Sequence, residues 1–117
     1  MGRDTSNSYR LRWQRASHRA VGEFLATATE LGLPAVMWTI ATTGAITGEI
    51  DSLTSTPAEV RAAFARWAGT LGAQGSERVD HSGAVHLYAR FAWSKDAEVR
   101  GAIRATIDPA LDEIGAS

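Results

Sequence analysis

Ala35-Val36-Met37-Trp38-Thr39-Ile40-Ala41-Thr42-Thr43-Gly44-Ala45-Ile46-Thr47-Gly48-Glu49-Ile50 reads as one β-hairpin, and its register decides the fold. Val36, Trp38 and Ile40 alternate with Ala35, Met37, Thr39 and Ala41, which is the period of a strand. Beyond the turn, Ile46, Gly48 and Ile50 alternate with Ala45, Thr47 and Glu49. A two-residue loop would set Ile40 beside Thr47 and mix the two sides. A three-residue loop, Thr42-Thr43-Gly44, pairs Ile40 with Ile46 and Val36 with Ile50 and keeps one face apolar. A slip of one residue turns every side chain over, so the pattern selects the longer loop, with Gly44 in the left-handed position.

The same reading applies to Glu77–Trp93, which turns at His81-Ser82-Gly83. Val79 pairs with Val85 and Glu77 with Leu87. Val85, Leu87, Ala89, Phe91 and Trp93 then face the core, and Arg78, His86, Tyr88 and Arg90 face outward. Each hairpin follows an amphipathic stretch. Trp13, Ala16, Ala20, Phe24, Ala28 and Leu31 fall on one helical face, with Gly32 as terminator and Pro34 blocking continuation. This first helix is expected to start between Ser8 and Arg12, after a flexible polar N-terminus over residues 1–8. Thr56-Pro57-Ala58-Glu59 opens a second helix with a capping box, and Val60, Phe64, Trp67 and Leu71 form its stripe. A third helix is expected over Lys95–Ile107, capped by Ser94, with Val99, Ile103 and Thr106 or Ile107 inward and Asp108-Pro109 as breaker.

The expected fold is a two-layer α+β domain over residues 9–117, ordered α-ββ-α-ββ-α. Its four-stranded antiparallel sheet carries the helices on one face. Ala58–Phe64 is similar to Ala97–Ile103, and Phe24…Leu31-Gly32 to Phe64…Leu71-Gly72. Internal duplication and convergence of capped, Ala-rich helices both account for that likeness.

A chain of 117 residues suits one domain. It holds no cysteine, which excludes disulfides, thiolate nucleophiles and Cys-based zinc sites. The polar start has no apolar leader segment, so no signal peptide is expected, and no apolar run approaches the roughly 18 residues of a membrane span. The net charge is -1 but unevenly spread: Arg3, Arg10, Arg12, Arg15 and Arg19 stand against Asp4 alone near the start, and the remainder is acidic.

Arg19–Leu25, Trp38–Ala45 and Arg104–Pro109 together resemble a group of small actinobacterial proteins with no assigned activity, so the likeness implies origin and a cytoplasmic setting and carries no site residues. The element order also resembles the LAGLIDADG homing-endonuclease half, whose sheet forms a DNA-binding saddle. That family holds a divalent metal with an acid at the end of its first helix. In Leu25–Gly32 only Glu30 stands near that place and the flanking glycine and Asp pattern is missing, so the resemblance is topological and implies no nuclease.

The outward sheet face is the main candidate surface: Arg78, His86, Tyr88 and Arg90, with Met37, Thr39, Thr47 and Glu49. A sheet bearing Tyr and Arg can stack bases and contact phosphates. A dimer interface and an ordinary solvated face are the alternatives. Arg12, Arg15 and Arg19 share one helical flank and form a second candidate that can lie along phosphates or pair with acids such as Glu23. His81, His86 and Asp80 do not converge as metal ligands, and Ser82 lacks an arranged base and oxyanion donors. The four tryptophans all fall on expected core faces. No phosphate loop, dinucleotide fingerprint or cofactor motif is present. The expectation is a non-enzymatic, homodimeric interaction module that binds a protein partner through the outer sheet face or an edge strand. The alternative is a nucleic-acid-binding accessory protein using the arginine-rich helix and the Arg/Tyr face.

Overall fold

The computed structural model describes residues 2–93, 95 and 99–108. Strands β1 (Val36–Ile40) and β2 (Ile46–Ile50) form the first hairpin, and β3 (Gln74–Val79) and β4 (Val85–Ala92) form the second. Both registers are those the hydrophobic pattern selects: Ile40 pairs with Ile46, Val36 with Ile50, Val79 with Val85 and Glu77 with Leu87. The loops close alike. Gly44 N–H donates to Ala41 O at 2.9 Å and Gly83 N–H to Asp80 O at 3.0 Å, and both glycines have positive φ, 84° and 88°.

Helix α1 (Gly2–Leu31) precedes the first hairpin and α2 (Pro57–Thr70) the second. Thr56 caps α2 in a full capping box with Glu59. The two helices end the same way. Gly32 and Gly72 take φ 65°, Leu33 N–H donates back to Ala28 O and Ala73 N–H to Ala68 O. Arg66 of α2 adds its guanidinium to the carbonyls of Leu31 and Gly32 and so ties the end of α1 to its neighbour.

Among the described residues, the segment expected to close the chain as a helix does not form one. Arg100–Ile107 is a strand, β5, and it lies in the middle of a 5-stranded sheet of order β1-β2-β5-β4-β3. It runs antiparallel to β4 and parallel to β2, so the sheet is mixed rather than four-stranded and antiparallel. Ile103 and Ile107 satisfy a helical period and a strand period alike, and the unpaired edges of β2 and β4 decide between them. A strand placed there satisfies both edges at once. Gly101, Ile103, Ala105 and Ile107 point to the core and Arg100, Ala102, Arg104 and Thr106 share the other face. Within the stretch that is similar to the α2 segment, Arg100–Ile103 is strand where α2 is helix. Ser94, residues 96–98 and those after Asp108 lie outside the described residues.

Both helices pack on one sheet face. Ala16, Ala20 and Phe24 of α1 and Val60, Phe64 and Trp67 of α2 are buried against Ile46, Ile50, Leu87, Ala89, Phe91 and Ile103. Phe24 meets Trp38, Phe91 and Trp93 at ring-centroid distances of 5.3, 5.6 and 6.3 Å. Trp67, 1% exposed, donates its indole N–H to Pro34 O at 2.8 Å.

Helix α1 is longer than the sheet it covers. Its 30 residues extend about 45 Å, while the strands it packs along, five to eight residues each, span about 17–27 Å. It begins at Gly2, earlier than the periodicity indicates. The buried Ser17 hydroxyl donates to Gly44 O, and the Trp13 backbone lies against Gly44, where an added Cβ would come within 2.8 Å of Trp13 Cβ. Before that point, residues 6–12 are all exposed. Tyr9 and Trp13 continue the core stripe past the sheet and stack on one another at 6.2 Å. Trp13 is thus 36% exposed, unlike the other tryptophans, because its ring stands where the sheet ends.

Candidate functional site

The face turned away from the helices is open. Cross-strand register arranges it in rows. Met37, Glu49, Arg104, Tyr88 and Ser76 form one; Thr39, Thr47, Ala102, Arg90 and Gln74 form the next; Thr106, His86 and Arg78 form a third. Arg100 stands opposite Ala92 beyond them. Strand alternation therefore gathers Arg78, Arg90, Arg100 and Arg104 on one surface. Glu49 is the one acid among the described outward strand positions. Its Oε1 lies 3.7 Å from Arg104 Nε, and both side chains are about half exposed, so the pair holds Arg104 only weakly.

Arg78, His86, Tyr88, Arg90 and Glu49 are brought together as the hairpin register requires. Arg104, Thr106, Ala102 and Arg100 were missed because their segment reads as helical: Ile103 and Ile107 fit both periods, and the small Gly101 and Ala105 left no clear strand signal. Arg12, Arg15 and Arg19 are exposed on α1 and lie on the opposite side of the sheet from this face. Glu23 pairs with Lys95 at 2.9 Å, a different partner from Arg19.

The second turn is fixed by Asp80. Its Oδ1 accepts from Ser82 Oγ at 2.6 Å, from Ser82 N–H at 2.8 Å and from Ala84 N–H at 3.2 Å. Its Oδ2 lies 2.8 Å from His86 Nε2. The Ser82 hydroxyl, and then His86, hold the Asp80 carboxyl far below the usual carboxylate range. The carboxylate stands between serine and histidine, whereas serine hydrolysis needs the histidine in that middle place. This cluster orders the hairpin end and positions His86 at the rim of the arginine face. Among the described residues no three His, Cys, Asp or Glu side chains group as metal ligands, and Glu30 is exposed at the end of α1.

Two shallow hollows mark the face. One, of about 610 Å³, is lined by Arg78, Arg104, His86, Tyr88, Ser76 and Glu49 among others. The second, of about 660 Å³, includes Arg90, Arg100, Thr47 and Ala102. Tyr88, 43% exposed, belongs to both. Chemically the face offers guanidinium forks, hydroxyls and one aromatic ring, which is equipment for binding anions and planar groups.

No family model matches the chain, and neither a curated protein nor a solved structure matches it. No helix among the described residues is long and apolar enough to cross a membrane.

Proposed function

We propose that the chain binds nucleic acid through the outer face of its sheet. The observation that supports this most is the charge of that face: Arg78, Arg90, Arg100 and Arg104 surround Tyr88, with Glu49 as the one outward acid among the described strand positions. Desolvated phosphates are the partners that guanidinium forks match in geometry and charge. The same charge argues against self-association through this face. A two-fold interface would set arginines against arginines, and like charges so placed oppose association. The test is binding of a labelled oligonucleotide across a salt series. Affinity falls with salt in proportion to the phosphates contacted, and Arg78→Ala or Arg104→Ala reduces the slope. Binding unchanged by these substitutions, or undetectable at about 50 mM salt, removes the reading.

A second reading, a homodimer, is supported by one feature elsewhere: the exposed stripe of Tyr9 and Trp13 on the overhanging part of α1. Each ring has roughly 100 Å² left to bury, and a stable interface needs about 1,200 Å² or more, so the stripe alone falls short. Light scattering that shows a monomer at high protein concentration ends this reading.

A further inference from the structure

The two hollows differ from a single ligand pocket in one respect: they share a wall, and the wall is Tyr88. Along β4 the outward residues are His86, Tyr88 and Arg90, spaced about 7 Å apart. Arg78 and Arg104 lie on the His86 side of the ring or level with it, and Arg90 and Arg100 lie beyond it. Several positions around the ring are short. Ser76 is its register partner on β3, and Ala102 and Thr106 stand on either side of Arg104 on β5. Tyr88 therefore stands above these neighbours, with arginines in two successive groups along the strand.

We infer, resting on the nucleic-acid reading above, that the ligand is a single strand running along β4 and β5, with one base stacked on Tyr88 and flanking phosphates held by Arg78 and Arg104 on one side and Arg90 and Arg100 on the other. A mononucleotide fills one hollow and leaves the other pair of arginines unmatched. A duplex offers phosphates to the arginines, but its base faces are covered by their own neighbours, so Tyr88 gains nothing from it. A single strand uses both arginine groups and the ring together.

The experiment measures fluorescence anisotropy of a labelled oligothymidine of about ten nucleotides, against a duplex of equal length, with the full chain and its variants. Tyr88→Leu weakens binding of the single strand by about tenfold, and Tyr88→Phe, which keeps the ring, restores most of it. The duplex responds to Arg78→Ala and Arg104→Ala but not to Tyr88→Leu. Thymidine monophosphate displaces the oligonucleotide only at far higher concentration of nucleotide units. Equal binding of the single strand by Tyr88→Leu and the unaltered chain overturns the inference while leaving the nucleic-acid reading in place. Displacement by the mononucleotide at matching concentration overturns it in favour of a nucleotide site. No binding of either nucleic acid removes both.

Discussion

At the scale of single residues, the fold depends on where a side chain is missing. Trp38 lies over Gly48, its register partner on β2, and a Cβ there would stand 2.7 Å from Trp38 Cζ3 and 2.6 Å from Ile103 Cδ1. The ring that covers the glycine cannot shift outward, because Phe24 and Trp67 hold it at centroid distances of 5.3 Å each. Gly48→Ala should therefore destabilise the protein by about 1–3 kcal/mol, read as a lower denaturant midpoint at unchanged m-value. Asp80 is the other residue on which a local structure turns. Its carboxyl pKa is lower in the folded chain than in the unfolded one, so its contribution is fully present above the unfolded value, near 4. The contribution is lost as pH falls from there through the folded value. Asp80→Asn should lower the thermal midpoint at neutral pH and make its decline below about pH 4 shallower than that of the unaltered chain. Parallel curves for the two proteins through the acid range would contradict this account.

At the scale of elements, the two hairpins were legible because loop length, apolar alternation and a left-handed glycine all point to one register. The capping box at Thr56 and the glycine stops at Gly32 and Gly72 were legible for the same reason: each is a local chemical requirement. Strand β5 was not. Its inward positions include Gly101 and Ala105, too small to show as an apolar alternation, while Ile103 and Ile107 also fit a helix. What makes it a strand lies in β2 and β4, distant in the chain. Four outer-face positions of the candidate site, Arg100, Ala102, Arg104 and Thr106, went unread with it. Gly101 separates the two conformations by experiment. In a helix, Gly→Ala stabilises by about 1 kcal/mol. In β5 an added Cβ runs into Ile46 O, a backbone atom that cannot move aside, and stands 2.7 Å from Phe91 Cζ. Gly101→Ala should thus cost about 2 kcal/mol or more, the opposite sign from the helical expectation.

At the scale of the whole molecule, the sheet divides the two basic features that the chain carries. Arg12, Arg15 and Arg19 lie on α1, in the helical layer, and Arg78, Arg90 and Arg104 lie on the far face of the sheet. In the linear sequence they read as two candidates that one nucleic acid could use together. In the fold, a strand of nucleic acid lying on the sheet face cannot reach the α1 flank without wrapping an edge. The edges are bounded by β1 and by β3, whose Glu77 is held on the helix side by Arg61 at 2.6 Å. The two groups should therefore respond differently. Replacing Arg12, Arg15 and Arg19 together by Gln removes charge only from the helical layer, where screening over about 10 Å leaves little field at the opposite face. Affinity for a short single strand should then change by less than about threefold, with the salt slope unaltered. Replacing Arg78, Arg90 and Arg104 should lower the slope by about 0.7 for each phosphate that no longer meets a guanidinium, and weaken binding at every salt concentration. If the α1 substitutions instead reduce the slope as much as the sheet substitutions do, the nucleic acid wraps both layers and the sheet face is only part of its path.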